Sequence, residues 1–327
     1  MYRSKISRNH FLKFYIYKIK LWRSTSSLQK NFRMSGKVGF IGVGIMGKGM
    51  LMNLSTKMPG TTIVAWNRSS GVVDEVIANT SNVEKGATAK EVIEQCDTIY
   101  CMLSTLEASL AVFDDADNGV LAGISAGKTL VDCATLTPER MIKVAEIVKS
   151  KGGKFLEAPV SGSKGPAEKG QLIFLCGGDQ EVFDACKPAL DCMGKASFLF
   201  GSVGKGSQVK LVVNMIMGTM LCAFSEGMAL CDAADLPCDK LLEVLDLGAM
   251  ANPMFKLKGP NMINDTYSTQ FPLKHAQKDV RFALSLGDQL GVSLPTSAAA
   301  NELFKRARPE AGDEDFSAVH RVLKKKK

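Results

Sequence analysis

Lys210 and Asn214 stand four residues apart at the head of residues 211–225, a run of 15 without a charged side chain. Residues at that spacing share one face of a helix, so an ammonium and a carboxamide can reach the same point. An ammonium can protonate or stabilise an oxygen that gains negative charge, and an amide can hold that oxygen in position. The alternative is a lysine whose stem covers apolar surface while its head reaches solvent. The run is shorter than the ~20 residues a membrane-spanning helix needs, so it reads as a helix buried inside a globular protein.

A second constellation is Gly42-Val43-Gly44-Ile45-Met46-Gly47. It follows a short apolar run, 37–42, and opens a helical pattern that reaches about residue 57. In that context the glycines permit a tight turn, close approach of the backbone to a pyrophosphate, and close helix–strand packing. The free amides of the helix start then favour phosphate. The next apolar run, 61–66, ends in Asn67-Arg68-Ser69. NAD-binding sites usually place an acid there for the ribose 2′-hydroxyl. A carboxylate would repel a 2′-phosphate, whereas Arg68 can pair with one, so the expected cofactor is NADP(H); a solvated surface arginine is the other reading. Ser161-Gly162 follows a β run, where a hydroxyl and backbone amides can form an anion nest, or simply a turn. Lys278 and Asp279 are neighbours in sequence, do not face each other on a helix, and are expected to do different jobs. Pro272 suits a first helical position.

These groups must be carried by elements. Strands are expected at 98–103, 129–132, 154–157 and 172–176, and helices at 71–78, 89–96 and 138–150. Strands alternating with helices predict a parallel, doubly wound sheet. From residue 204 onward the strand signals vanish. The expected fold class is α/β: an N-terminal doubly wound domain over 37–200, followed by an all-helical domain over 201–323, joined by a long helix. Residues 1–36 form a basic extension and 324–327 a lysine tail.

The formal charge of +8 comes from those two ends: residues 1–36 hold nine Lys or Arg and no acid, and the last four residues are lysines. The remainder carries 28 cations against 33 anions, which argues against a nucleic-acid-binding surface; no membrane partner is expected either. The acid-free extension has transit-peptide composition, giving a mitochondrial or plastid expectation; a start at Met34 instead of Met1 would give a cytoplasmic one. Nine Cys occur without a CxxC pair, and no Cys/His spacing suits a metal, so no metal site is expected. Several cysteines sit in apolar runs and read as small buried hydrophobes.

Taken together, these residues resemble the β-hydroxyacid dehydrogenase family (3-hydroxyisobutyrate dehydrogenase-like) over residues 37–323. The likeness rests on FIGVGIMG at 40–47, WNRS at 66–69, DCAT at 132–135, EAPVSGS at 157–163, GKGSQVKLVVN at 204–214 and FPLKHAQKD at 271–279. SGSKGPAEKGQL at 161–172 and LDLGAMANPMFKLKGP at 245–260 look like the plant-type glyoxylate/succinic semialdehyde reductase branch. The resemblance implies a Rossmann domain and a catalytic role for Lys210. It implies substrate contacts at Ser161, Gly162, Asn214, Phe271 and Asp279, and a position between cofactor and substrate for Thr135. Cofactor contacts are implied at Gly42 to Gly47, at Asn67, Arg68 and Ser69, at Met102, Leu103 and Ser104, and at Lys278. Ser163 and Cys133 depart from the family's common residues, which bears on substrate identity more than on reaction type.

The expectation is thus an NADPH-dependent reductase of small aldehyde acids, converting glyoxylate to glycolate and succinic semialdehyde to 4-hydroxybutyrate, with Lys210 as general acid. A homodimer or homotetramer is expected. The rivals are a 3-hydroxyisobutyrate dehydrogenase-type oxidation, against which Arg68 argues, and a non-catalytic NADP-binding scaffold, against which Lys210 argues.

Overall fold

Each residue of β1 (Val38–Ile41) is buried, as expected of a strand covered by helices on both faces. It is the centre of the fold, and its side chains alternate between two cores. Val38 and Phe40 join Leu54, Tyr100 and Leu156 on one face; Ile41 joins Ile99, Leu130 and Phe155 on the other. The computed structural model describes residues 36–324. The basic extension, its targeting role and the choice between Met1 and Met34 lie outside the described residues, as do the last three lysines.

The sheet continues through β2 (Ile63–Trp66), β3 (Val83–Lys85), β4 (Thr98–Cys101), β5 (Thr129–Asp132), β6 (Lys154–Glu157), β7 (Val160–Ser161), β8 (Leu172–Gly178) and β9 (Gly194–Leu199). The order is β3-β2-β1-β4-β5-β6-β8-β7, with β9 beside β8. β1 to β6 are parallel to one another. β8 runs antiparallel to β6 and β7 and parallel to β9. The chain leaves β1 towards β2 and β3, then returns to β4 on the other side. The C-terminal ends of β1 and β4 therefore flank the crevice where such sheets bind ligands.

Helices α1 (Ile45–Lys57), α2 (Gly71–Ile77), α3 (Ala89–Gln95), α4 (Leu106–Phe113), α5 (Val120–Gly123), α6 (Pro138–Ser150), α7 (Lys164–Glu168) and α8 (Gln180–Met193) accompany the sheet. The side chains of Thr88, Thr105 and Thr137 cap α3, α4 and α6 by accepting a first-turn amide, and Pro138 follows its cap residue at the favoured first position. After β9 come α9 (Lys205–Ala233), α10 (Cys238–Leu247), α11 (Pro253–Ile263), α12 (Leu273–Leu290), α13 (Pro295–Ala311) and a 3-10 segment, Phe316–Leu323.

The doubly wound α/β part and the helical part joined by a long helix are as read from the sequence. Several elements were not. β3 is three residues with one buried side chain, and β7 is two residues; neither is long enough to show a period. Helix α8 contains Pro188, a breaker signal that tertiary packing overrides. The expected all-parallel sheet gains an antiparallel edge. The helix carrying Lys278 begins at Leu273, with Pro272 as its cap residue and not its first helical residue.

α9 extends well beyond the uncharged run at both ends. At 29 residues it is long and apolar enough to cross a bilayer by length and composition. Its packing says otherwise: it lies between β8 on one side and α12, α13 and the 3-10 segment on the other, and its buried face includes Ser207, Lys210, Asn214 and Ser225.

Candidate active site

The Gly-rich turn sits at the end of β1. Met102 donates its amide to the Ile41 carbonyl at 2.8 Å, which brings the ends of β1 and β4 together. Gly42 adopts φ +96°, and a Cβ on Gly47 would fall 1.9 Å from the Gly42 carbonyl oxygen, so both positions demand glycine. Asn67 braces the turn: its Oδ1 accepts from the Val43 amide at 3.0 Å and its Nδ2 donates to the Ser69 carbonyl at 3.0 Å. No side chain caps α1, which leaves its first amides available to an anion. A Cβ built on Gly44 would meet nothing within 4 Å; the backbone there faces open space. An uncapped helix start over an open cradle fits a dinucleotide diphosphate.

A cleft of about 300 Å³ runs from this turn, between Gly44 to Gly47, the loop Met102–Leu103–Ser104, Thr135, Phe271, Lys278 and Asp279. A second cleft, of about 660 Å³, opens on the other side of the turn and includes Val43 and Gly44. Arg68 and Ser69 are exposed at the end of β2 and line neither cleft.

One turn into α9, Lys210 is 5 % exposed and Asn214 4 %. Lys210 Nζ donates to Asn214 Oδ1 at 2.7 Å, and Asn214 Nδ2 donates to Asp279 Oδ2 at 2.6 Å. The lysine does not snorkel. Burial lowers its pKa to about 8; the Asp279 carboxylate holds it up and the Lys278 ammonium pushes it further down. Lys278 Nζ donates to the Thr135 carbonyl at 2.6 Å and lies 3.1 Å from Asp279 Oδ1. The expectation that Lys278 and Asp279 do not meet is therefore corrected. Consecutive helical residues diverge at Cβ, but a lysine stem is long enough to fold back onto its neighbour's carboxylate. His275 lines the same cleft; burial, helped by Lys278, lowers its pKa to about 4, so it is neutral at physiological pH.

Lys210 faces a cleft of about 630 Å³ that is larger than the one lined by Lys278 and Asp279 and also contains Ser161, Gly162, Asn214 and Phe271. Gly162 has φ +136°. Phe271 packs edge-on to Phe316 at 5.5 Å between centroids and borders both this cleft and the one running from the Gly-rich turn. The two clefts thus meet around Phe271, with Lys210, Asn214 and Asp279 as a continuous hydrogen-bonded bridge. The expected residues are brought together, apart from Asn67, which braces the turn from behind, and Arg68 and Ser69.

Glu157 opens the EAPVSGS motif, where the sequence alone assigns it no role. It is fully buried at the end of β6. Its Oε1 accepts from the Gly206 amide at 2.7 Å and its Oε2 from the Ser207 hydroxyl at 2.8 Å, which anchors the first turn of α9. Burial raises its pKa, and the bonds from Ser207 and Gly206 oppose that rise. Asp132 lies opposite it on β5. Burial lifts the Asp132 pKa to about 7; the Ala134 amide and the charge of Arg140 oppose this, and Glu157 adds to it. An acid closing an otherwise apolar strand was the available signal for both. The buried Lys258–Asp315 ion pair, 2.8 Å, was also missed, because its members are 57 residues apart.

Comparison with known proteins agrees with this fold. Residues 37–209 match the family described as the NAD binding domain of 6-phosphogluconate dehydrogenase. Residues 204–323 match the one described as NAD-binding of NADP-dependent 3-hydroxyisobutyrate dehydrogenase. Glyoxylate/succinic semialdehyde reductase 1 of Arabidopsis thaliana is 50% identical over 289 residues, 88% of this chain and 98% of that protein. The chloroplastic reductase 2 of the same plant is 45% identical over 288 residues, 88% of this chain and 79% of that protein. The human cytokine-like nuclear factor N-PAC is 36% identical over 287 residues, 88% of this chain and 51% of that protein. The crystal structure of 3-hydroxyisobutyrate dehydrogenase from Salmonella typhimurium shares the fold, with TM-score 0.80 at 23% identity, covering 88% of this chain and all of that one. On these matches, the chain belongs to the β-hydroxyacid dehydrogenase family of NAD(P)-dependent oxidoreductases.

Proposed function

We propose that this oxidoreductase is an NADPH-dependent reductase of small aldehyde acids, taking glyoxylate to glycolate and succinic semialdehyde to 4-hydroxybutyrate. The observation that carries the reading is the buried Lys210 ammonium, 2.7 Å from Asn214 Oδ1, where the cleft from the Gly-rich turn meets the larger one. The names of the two Arabidopsis relatives support the substrate class.

When bound, the dinucleotide supplies the hydride to the carbonyl carbon. This chain's residues supply the rest. The amides at the start of α1 and the open backbone of Gly44 would hold the diphosphate, and Arg68 would pair with a 2′-phosphate. The carbonyl oxygen would lie against Lys210 Nζ. With a pKa of about 8, Lys210 is mostly protonated at pH 7; it stabilises the developing alkoxide and then gives up its Nζ proton. Asn214 is fixed by Asp279 at 2.6 Å, which leaves its Oδ1 to hold the ammonium in one orientation. Ser161 and Gly162 would receive the carboxylate of glyoxylate.

The test is a spectrophotometric screen of NADPH oxidation against short aldehyde acids and butyraldehyde. Turnover of glyoxylate and succinic semialdehyde, with butyraldehyde poor, is expected. NADPH binding without turnover of any of them would favour the scaffold. We propose also that residues 1–36 direct the chain to a mitochondrion or plastid, tested by a fluorescent fusion, and that it works as a homodimer or homotetramer.

A further inference from the structure

The larger cleft is oversized for a two-carbon acid. At about 630 Å³ it is lined mainly by apolar side chains of α9 and α11, and two cations border it, Lys210 and Lys258. Lys258 is 3 % exposed. An ammonium has three donors. Among the described residues, one of the three goes to Asp315 Oδ2, at 2.8 Å, while the face of Phe316 lies 5.3 Å from Nζ. The counter-ion is heavily shared. Asp315 also accepts from the Ser317 amide at 3.1 Å and hydroxyl at 2.6 Å, and from the amides of Gln270 at 3.2 Å and Phe271 at 3.3 Å. A carboxylate offers about four lone-pair positions, so five donors saturate it. Lys258 is left with donors to spare in a low-dielectric wall where an unpartnered N–H is costly.

We propose that Lys258 is a second anion subsite, which receives the remote carboxylate of ω-aldehyde acids such as succinic semialdehyde and sets the enzyme's preference for chain length. The inference rests on the reductase reading of the site. With the aldehyde on Lys210, the methylenes lie along the apolar wall between α9 and α11, and the carboxylate reaches Lys258. The carboxylate of glyoxylate is bonded directly to the carbonyl carbon, so it stays beside Lys210 and within reach of Ser161-Gly162. The two substrates thus draw on different anion sites in one cleft.

The experiment compares kcat/KM for succinic semialdehyde and glyoxylate in the wild type and in Lys258→Gln, which keeps a donor towards Asp315 but lacks the charge. The ratio of the two values is expected to fall at least tenfold, and Lys258→Arg to restore most of it. A ratio within twofold of wild type overturns the subsite. Should Lys258→Gln fail to fold, Lys258→Met combined with Asp315→Asn removes both buried charges, and the same ratio decides. Turnover of neither aldehyde acid by the wild type overturns the reductase reading separately. In that case calorimetric titration with 4-hydroxybutyrate still decides the subsite: at least tenfold weaker binding to Lys258→Gln supports it, and equal affinity overturns it.

Discussion

Lys210 is held in a balance between burial, which disfavours its charge, and the Asp279 carboxylate relayed through Asn214. Replacement by Met keeps length and apolar packing but removes the proton. General acid catalysis is typically worth ~10²–10⁴ in rate, so Lys210→Met should lower kcat by about that range, with NADPH affinity by fluorescence titration within about twofold, as no phosphate contact is lost. A pKa of about 8 also fixes the sign of the pH dependence. With Lys210 as the proposed acid, reduction needs the protonated amine, so its kcat/KM should fall above about pH 8; alcohol oxidation would need the free amine and should rise over the same interval. The folded pKa lies below the ordinary value of 10.5. The unfolded chain therefore binds more protons between about pH 8 and 10.5, and the contribution of Lys210 to stability rises with pH across that window. A reduction profile flat to pH 10 would remove Lys210 as the acid. Arg68, exposed at the end of β2, should act on cofactor choice alone: Arg68→Ala is expected to lower kcat/KM for NADPH at least tenfold more than for NADH, as steady-state kinetics with both cofactors would register.

The placement of Lys210 depends on how α9 begins. A Cβ on Gly206 would lie 2.4 Å from the Leu175 carbonyl oxygen, so only glycine lets this turn press against β8. Glu157 then fastens the same turn through the Gly206 amide and the Ser207 hydroxyl, an anion at a helix N-terminus where the backbone dipoles favour it. Glu157→Gln loses the charge and turns one acceptor into a donor facing another donor. A buried hydrogen bond to a charged group is worth roughly 1.5–3 kcal/mol, and urea unfolding should show a loss of about that size. Because Lys210 sits one turn on, kcat should fall more than the affinity for NADPH. An unchanged kcat would mean that α9 is positioned by its apolar packing alone.

At the scale of the molecule, the sheet and the helical part share the site. Lys278 on α12 donates to Thr135 beyond β5 across 143 residues of sequence, and Lys164 of α7 donates its amide to the Gln270 carbonyl. Lys278→Met should weaken NADPH binding and lower stability by about 1–3 kcal/mol, the usual range for an orphaned buried partner. Calorimetry should still show one transition, since α9 packs on both β8 and α12. Two separated transitions would mean that Lys278 alone couples the parts. Sedimentation equilibrium should give the mass of a dimer or tetramer.

Much of the site is local, and its chemistry follows from residue type and short spacing. The strand–glycine–helix pattern at 37–57 and the four-residue step from Lys210 to Asn214 need only chain periodicity, so they were legible in the sequence. The same holds for the alternation of strands and helices that makes the sheet doubly wound. What the tertiary structure decided lies between residues far apart. Asp279 completes the Lys210–Asn214 bridge, Glu157 seats the helix that carries the lysine, and Asp315 pairs with Lys258 in the wall of the larger cleft. The lowering of the Lys210 pKa is of the same kind. Residue type gives a lysine its proton, but only burial and the neighbouring charges of Asp279 and Lys278 set how readily it gives that proton up.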